Sequence, residues 1–212
     1  PPGRPGGERT ARACPQPGSG VVDWGTTEHA FPLRLELPLI VLGIDPGSTA
    51  TGLAAVARRR GRVVLLDHGV VRTKSRDPVP DRLRTIHAGI EAFLHNAQAR
   101  WGGAGDALAI EQIFRHKSSE SALRLGQARG VALLAAAQAG LPVHEYNPMT
   151  IKKTVAGHGR AAKPQVGLMV QRLLGLSEAL PSDAADAAAI ALTHLTLGAQ
   201  RARLAALTAG AS

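Results

Sequence analysis

Four carboxylate residues lie where apolar segments of the sequence begin or end, and side chains of this type could bind divalent metal ions. Asp45 and Glu111 each close a short apolar run, whereas Asp183 and Asp186 lie three residues apart at the predicted start of the last helix. Residues three apart share one helix face, with Cβ atoms roughly 5–6 Å apart. Carboxylates that close repel each other unless a dication neutralises them, and their oxygen atoms suit Mg²⁺ or Mn²⁺. Two such ions can align a water for attack on a phosphodiester and stabilise the departing 3′ oxygen, so the four residues are candidate ligands of a metal-dependent nuclease.

Each of the four residues also has an ordinary structural interpretation. Asp45 precedes a Pro-Gly pair and could simply form a turn. Glu111 could end its strand in water, and acids such as Asp183 in the first turn of a helix are favoured by the helix dipole. Composition and spacing alone therefore leave both interpretations open.

The first half of the chain predicts an antiparallel meander followed by a helix. The apolar run Leu39 to Leu42, bounded by turn residues, is typical of a central buried strand that ends at Asp45. Two further strands, residues 52–57 and 63–72, flank an arginine-rich turn at residues 58–62. Asp81 can cap a helix whose apolar residues recur every three or four positions, so that one face lies on the sheet.

The second half alternates strands with helices. Strands are predicted at residues 107–110 and 142–146, and helices at residues 119–139, 150–156 and 164–174 and from residue 182 onward. The predicted order is βββαβαβααα, which indicates an α/β fold with a mixed five-stranded sheet and helices on both faces. If the first and fourth strands are parallel neighbours, Asp45 and Glu111 emerge side by side, and the last helix could bring Asp183 and Asp186 to the same edge.

Composition divides the chain into three parts. Residues 1–38 are rich in Pro and Gly and lack periodicity, so we expect a disordered extension, or a segment added by an over-long gene start. That segment holds four arginines and four acidic residues, so the net charge of +9 belongs to the rest of the chain. We expect a single folded domain at residues 39–198 and a short tail at residues 199–212. The net positive charge of residues 39–212 favours a polyanionic partner such as nucleic acid.

The cysteine count and the hydropathy predict where the protein works. Cys14 is the only cysteine, so no intrachain disulfide can form and a reducing compartment is favoured. No apolar stretch approaches the roughly 18 residues that a membrane helix needs, and the beginning of the sequence lacks a secretory pattern. We expect a cytoplasmic protein.

Several separated motifs resemble the bacterial RuvC Holliday junction resolvases in residue type, order and spacing, from about Leu39 to His194. They are Gly43-Ile44-Asp45-Pro46-Gly47-Ser48 with Thr51-Gly52, Ala109-Ile110-Glu111-Gln112 with Phe114, Ser121-Ala122-Leu123 with Leu125-Gly126-Gln127-Ala128-Arg129-Gly130, and Asp183-Ala184-Ala185-Asp186-Ala187.

This resemblance implies a ribonuclease-H-like fold and a metal-dependent endonuclease of DNA recombination and repair in the bacterial cytoplasm. The catalytic and metal-binding tetrad would be Asp45, Glu111, Asp183 and Asp186, with two Mg²⁺ or Mn²⁺ ions. The resemblance also implies a homodimer, because a four-way junction has two-fold symmetry and needs two cuts, and it implies the RuvA–RuvB branch-migration complex as a partner. The helices near Gly126 are the expected dimer face.

The resemblance also assigns DNA contacts. Phe114 corresponds to an aromatic residue expected to stack on junction bases, although its alternative is a core phenylalanine. Lys117, Lys152 and Lys163 correspond to basic residues that hold phosphates, with Lys153 and Arg160 as weaker candidates; without the family context each is more simply a solvated charge. We leave His116, His158 and His194 outside the site, because no metal-binding histidine spacing surrounds them.

Two other functions have sequence features in their favour. The segment Gly43 to Thr49 could be the phosphate-binding hairpin of an actin-like sugar kinase or ATPase, but such proteins need a duplicated domain and no internal repeat is visible. A junction-binding protein that does not cut would use the same charge and aromatic residue. An intact acidic tetrad opposes it, because unneutralised carboxylates repel the phosphates that must approach.

Overall fold

The computed structural model of the protein describes residues 22–25, 39–59, 61–101, 105–112 and 119–209. The elements of this part of the chain are β1 Val22–Gly25, β2 Ile40–Asp45, β3 Ala50–Arg59, β4 Arg62–Arg72, α1 Val79–Trp101, β5 Ala107–Glu111, α2 Ser119–Gln138, β6 Val143–Tyr146, α3 Pro148–Ala156, α4 Lys163–Leu174 and α5 Ser182–Ala209. All five predicted strands and all five predicted helices are present, in the predicted order.

These strands form one mixed sheet with the order β1-β4-β3-β2-β5-β6. β2, β3 and β4 pair antiparallel, whereas β5 pairs parallel with β2 and β6 pairs parallel with β5. The hairpin between β3 and β4 turns at Gly61, whose φ of 81° suits a residue without a Cβ. β2 lies between β3 and β5, which explains why its apolar residues form a continuous run instead of alternating with polar ones.

Helices cover both faces of the sheet, as the sequence predicts. On one face, α1 and α2 pack on a core that includes Leu42, Ile44 and Phe93. On the other face, α3, α4 and α5 pack on a second core that includes Val41 and Ile190. The apolar residues of α1 are buried at the predicted three-and-four spacing, from Ile86 through Ala97. No helix in the described part of the chain has the length and apolar character needed to cross a membrane.

The structure corrects two boundaries. β1, at residues 22–25, lies inside the segment predicted to be disordered and adds a sixth strand antiparallel to β4. The outer edge of β4 offers unpaired backbone groups, and pairing with them outweighs the Pro- and Gly-rich local composition. At the other end, α5 continues through Ala209, so a large part of the predicted tail is helical. Its Ala- and Leu-rich sequence has high helix propensity, which explains the continuation.

Candidate active site

Asp45 and Glu111 emerge side by side from the centre of the sheet. β2 and β5 are parallel neighbours in which Ile44 pairs with Ile110, and each carboxylate residue follows directly after its member of that pair. Both isoleucines are buried in the core under α1 and α2, and side chains alternate along a strand, so the two carboxylates face the α3–α5 side. The sequence-based prediction that these two residues meet is confirmed.

The first turn of α5 brings Asp183 and Asp186 to the same edge, and two glycines in the sheet make this approach possible. Gly52 of β3 pairs with Asp45, and a Cβ atom at Gly52 would lie 1.9 Å from the carbonyl oxygen of Asp183. A Cβ atom at Gly43 would likewise lie 1.9 Å from the carbonyl oxygen of Ala187. Only glycine therefore allows the α5 backbone to lie this close to the strands.

The charges of Glu111, Asp183 and Asp186 all act on Asp45, so the four carboxylates form one electrostatically coupled cluster. The pKa of Asp45 is raised from 3.8 to about 7, mainly by burial and also by the charges of Asp186, Glu111 and Asp183, while the charge of Lys163 opposes the rise. Burial, followed by the charge of Asp186, also raises the pKa of Glu111. Burial raises the pKa of Asp186 as well, opposed by its hydrogen bond with Lys163. The neighbouring lysines therefore do not fully offset the burial and mutual repulsion of these carboxylates.

Two lysines lie against the cluster, both predicted from the sequence as DNA contacts. Lys163, the first residue of α4, places its Nζ 2.5 Å from Oδ2 of Asp186, and this hydrogen bond raises the pKa of Lys163. Lys152 of α3 and Lys163 line a cavity of about 280 Å³ together with Glu111 and Asp186. This cavity is an open cleft in which an anionic group could meet both ammonium groups and the acidic cluster.

The chemistry of the donor set fits divalent metal ions. Asp45, Glu111 and Asp186 have raised pKa values, and all four carboxylates are hard oxygen donors whose mutual repulsion a dication would relieve. Within the described ranges, no three such side chains already converge as a set of metal ligands. The ammonium of Lys163 neutralises Asp186 instead.

Two arginines near the cluster received no role from the sequence. Arg72, the last residue of β4, places its Nη1 3.9 Å from Oδ2 of Asp183. Arg129 of α2 donates from Nε to the carbonyl oxygen of Glu111 at 3.4 Å and forms an ion pair of 2.6 Å with Glu145. The position of Arg72 at the end of a predicted strand that leads to the edge of the acidic cluster could have indicated its role. The contacts of Arg129 with Glu111 and Glu145 depend on how α2 packs, which the sequence does not show.

Three of the named residues lie outside the described part of the chain: Phe114, His116 and Lys117. The sequence analysis also leaves His158 and His194 outside the site, and of these two His158 is exposed. His194 is buried, with its Nδ1 2.8 Å from the Tyr146 hydroxyl and its ring 4.3 Å from that of His144. Both observations agree with leaving these histidines out of the candidate site.

Comparisons with known proteins point in the same direction. The sequence profile of the family described as crossover junction endodeoxyribonuclease RuvC matches residues 41–194. The protein of that name from Citrifermentans bemidjiense is 44% identical over 156 residues, which cover 74% of this chain and 92% of the relative. The one from Moorella thermoacetica is 45% identical over 166 residues, which cover 78% and 96%.

The solved structures agree with this result. The structure of Thermus thermophilus RuvC superposes with a TM-score of 0.67 at 42% identity, covering 76% of this chain and 96% of that one. A second structure, titled as T. thermophilus RuvC in complex with Holliday junction substrate, has the same TM-score at 44% identity and covers 74% and 93%. The predicted ribonuclease-H-like fold is confirmed by this similarity together with the strand order.

Proposed function

Because this chain belongs to the family of RuvC crossover junction endodeoxyribonucleases, we propose that it resolves Holliday junctions by hydrolysing phosphodiester bonds in two opposed strands. The observation that carries the proposal is that β2, β5 and α5 bring four carboxylate residues to one edge of the sheet, close enough to influence one another electrostatically. A relative of 44% identity was solved with a junction substrate, which supports the same substrate class here.

Asp45, Glu111, Asp183 and Asp186 are proposed as the ligands of Mg²⁺ or Mn²⁺, with two ions in each site. When bound, the ions would supply activation of the attacking water and stabilisation of the departing 3′ oxygen. The protein supplies the positions of these ligands. Asp45 and Glu111 are fixed by adjacent strands, whereas Asp183 and Asp186 depend on the seating of α5 against Gly43 and Gly52.

Lys163 and Lys152 are proposed to hold DNA phosphates. Lys163 forms an ion pair with Asp186, and a metal ion bound by Asp186 would compete with that interaction. The released ammonium would then lie next to the cleft, where a phosphate oxygen is its natural partner. Arg72 would act in the same way on the other side of the cluster, because it is the cation next to Asp183.

Phe114 and Lys117 remain proposals based on the family resemblance alone. They follow Glu111 by three and six residues, so the segment that carries them starts at the catalytic edge of the sheet. An aromatic ring stacked on a junction base there would contribute about 1–3 kcal/mol and separate the strands close to the carboxylates.

We further propose that the active form is a homodimer, paired through α2. Leu123 and Leu134 of this helix are 63% and 53% exposed, and they share one face with Gly126 and Gly130, whose absent Cβ atoms would meet nothing within 4 Å. A two-fold symmetric junction that is cut in two opposed strands needs two acidic clusters, and each chain supplies one. The RuvA–RuvB branch-migration complex, implied by the family, is the proposed cellular partner.

Cleavage of a synthetic junction tests this function directly. The protein is incubated with an end-labelled mobile four-way junction or a matched linear duplex, in the presence of Mg²⁺, Mn²⁺ or EDTA. We expect symmetric cuts in the junction alone, only with metal, and none with Asp45→Asn. Junction binding without cuts under either metal would contradict the proposal and favour a structure-specific binding protein.

A further inference from the structure

A buried arginine contacts the loop that follows Asp45. Arg82, in the first turn of α1, is only 5% exposed. Its guanidinium donates to the carbonyl oxygen of Ser48, from Nε at 3.1 Å and also from Nη2, and Nε lies 3.4 Å from the hydroxyl of Thr73. Nε and Nη2, which lie on one side of the guanidinium group, thus both donate to the same carbonyl oxygen.

Ser48 belongs to the loop that follows Asp45. This loop, residues 46–49, connects β2 to β3 and begins directly after the Asp45 carboxylate residue. Thr73 fixes the same loop, since its hydroxyl donates to the Ser48 carbonyl at 2.7 Å and its amide donates to the Thr49 carbonyl at 2.9 Å. Thr51 ties the start of the loop, because its hydroxyl donates to the Gly47 carbonyl at 2.9 Å.

The partners of Arg82 are unusual for a buried cation. A buried guanidinium is normally paired with a carboxylate, because removing an unpaired charge from water costs several kcal/mol. In the residues that the structure describes, no carboxylate oxygen lies within 4.0 Å of Arg82, whereas the nearby exposed Arg84 pairs with Asp81 at 2.6 Å. The charge of Arg82 is therefore directed at the loop carbonyl and at the Thr73 hydroxyl.

We propose that Arg82 is a positioning residue of the cleavage reaction, which clamps the Ser48 carbonyl and thereby holds the 46–49 loop and the Asp45 carboxylate in the geometry that binds metal. The inference rests on the proposed function. It requires arginine in particular, because a lysine ammonium could reach one acceptor but lacks the planar fork that holds the carbonyl from two nitrogens. Asp45 is the last residue of β2, so the 46–49 loop is the adjoining backbone that lies outside the sheet and depends on these side-chain contacts for its position.

The test uses three variants of the full chain: Arg82→Lys, Thr73→Val and, as the matched control, Arg84→Lys. Thr73→Val removes the hydroxyl that donates to the Ser48 carbonyl and the weaker contact of that hydroxyl with Arg82, with little change in shape, and it leaves the guanidinium itself in place. Arg84→Lys makes the same chemical change two residues away on the exposed face of α1. Hydrogen exchange of residues 47–52, Mn²⁺ affinity, junction affinity in EDTA and single-turnover cleavage are measured for each.

We expect Arg82→Lys to accelerate exchange of residues 47–52 by about tenfold or more while exchange in β2 and β5 stays unchanged. Mn²⁺ affinity and single-turnover cleavage should each fall by about tenfold, with junction affinity within about twofold of wild type. Thr73→Val should shift the same measurements in the same direction by a smaller factor, and Arg84→Lys should leave them unchanged.

Three results would overturn the inference. Exchange and Mn²⁺ affinity that stay at wild-type values would show that the clamp does not hold the loop. Exchange that rises throughout the sheet would show that Arg82 supports the fold as a whole. A loss of junction affinity equal to the loss of cleavage would make Arg82 a DNA contact. If the wild-type protein itself does not cut junctions, the proposed function fails, and the exchange and Mn²⁺ measurements still decide whether the clamp exists.

Discussion

Replacing Asp45 with asparagine is expected to stabilise the metal-free protein while abolishing cleavage. Raising the pKa of Asp45 from 3.8 to about 7 means that ionising this carboxyl opposes folding. At about 1.4 kcal/mol per pH unit the cost above pH 7 reaches about 4 kcal/mol. Asparagine removes the charge but leaves a polar amide in a partly dehydrated position, so we expect a net gain of about 1–3 kcal/mol at pH 8, less than the full cost of the charge.

The pH dependence gives this prediction its sign. Below pH 3.8 the Asp45 carboxyl is protonated in both the folded and the unfolded chain, so the folded protein does not bear the cost of a buried charge at this position. Between pH 3.8 and about 7 only the folded chain keeps the proton, so wild-type stability falls as pH rises. The advantage of Asp45→Asn should therefore be small at pH 5 and largest at pH 8.

Urea unfolding in EDTA, followed by circular dichroism at both pH values, measures this difference. Glu178→Gln is the matched control, because it removes an exposed carboxylate that is not part of the cluster. Mg²⁺ at a concentration about a hundred times its Kd should add about 2.7 kcal/mol to the wild type and much less to Asp45→Asn, which removes most of the difference between them or reverses it. A wild type that is more stable than Asp45→Asn at pH 8 in EDTA would refute the reasoning.

Three further predictions follow from the same site. Gly52→Ala should lower the free energy of unfolding by about 3 kcal/mol or more, because the new Cβ would lie 1.9 Å from the Asp183 carbonyl oxygen; Gly167→Ala, with nothing within 4 Å, should be neutral or stabilising in the same urea experiment. Arg72→Gln should weaken junction binding and reduce the slope of log K against log salt by about 1, and an unchanged slope would remove Arg72 from the DNA interface. Phe114→Ala should slow junction cleavage while leaving Mn²⁺ affinity intact, and an unchanged rate would remove its proposed role between the bases.

The sequence predicts most of the fold and the acidic cluster because their signals are local. A continuous apolar run that ends in a carboxylate identifies both β2 and β5, and their parallel pairing then places Asp45 beside Glu111. The three-residue spacing of Asp183 and Asp186 places both on one face of α5. The motifs that resemble the family lie at these same places, so the two lines of reasoning agree.

The features that the sequence does not predict depend on contacts between distant segments. β1 forms because β4 offers an open edge, and residues 1–38 carry no local signal of that pairing. Arg82 looks like any surface arginine in a helix, and only the packing of α1 against the Ser48 loop buries it. The contact of Arg72 with Asp183 likewise depends on the register of the sheet, and the contact of Arg129 with Glu145 depends on the position of α2.

The seating of α5 on Gly43 and Gly52 also bears on the order in which the protein becomes active during synthesis. Asp45 and Glu111 leave the ribosome long before Asp183 and Asp186, which belong to the last helix of the described chain. A nascent chain that ends before α5 therefore carries only two of the four carboxylates of the cluster. A polypeptide released before α5 is made would therefore lack a complete cutting centre, so interrupted translation would not leave an unregulated nuclease in contact with the chromosome.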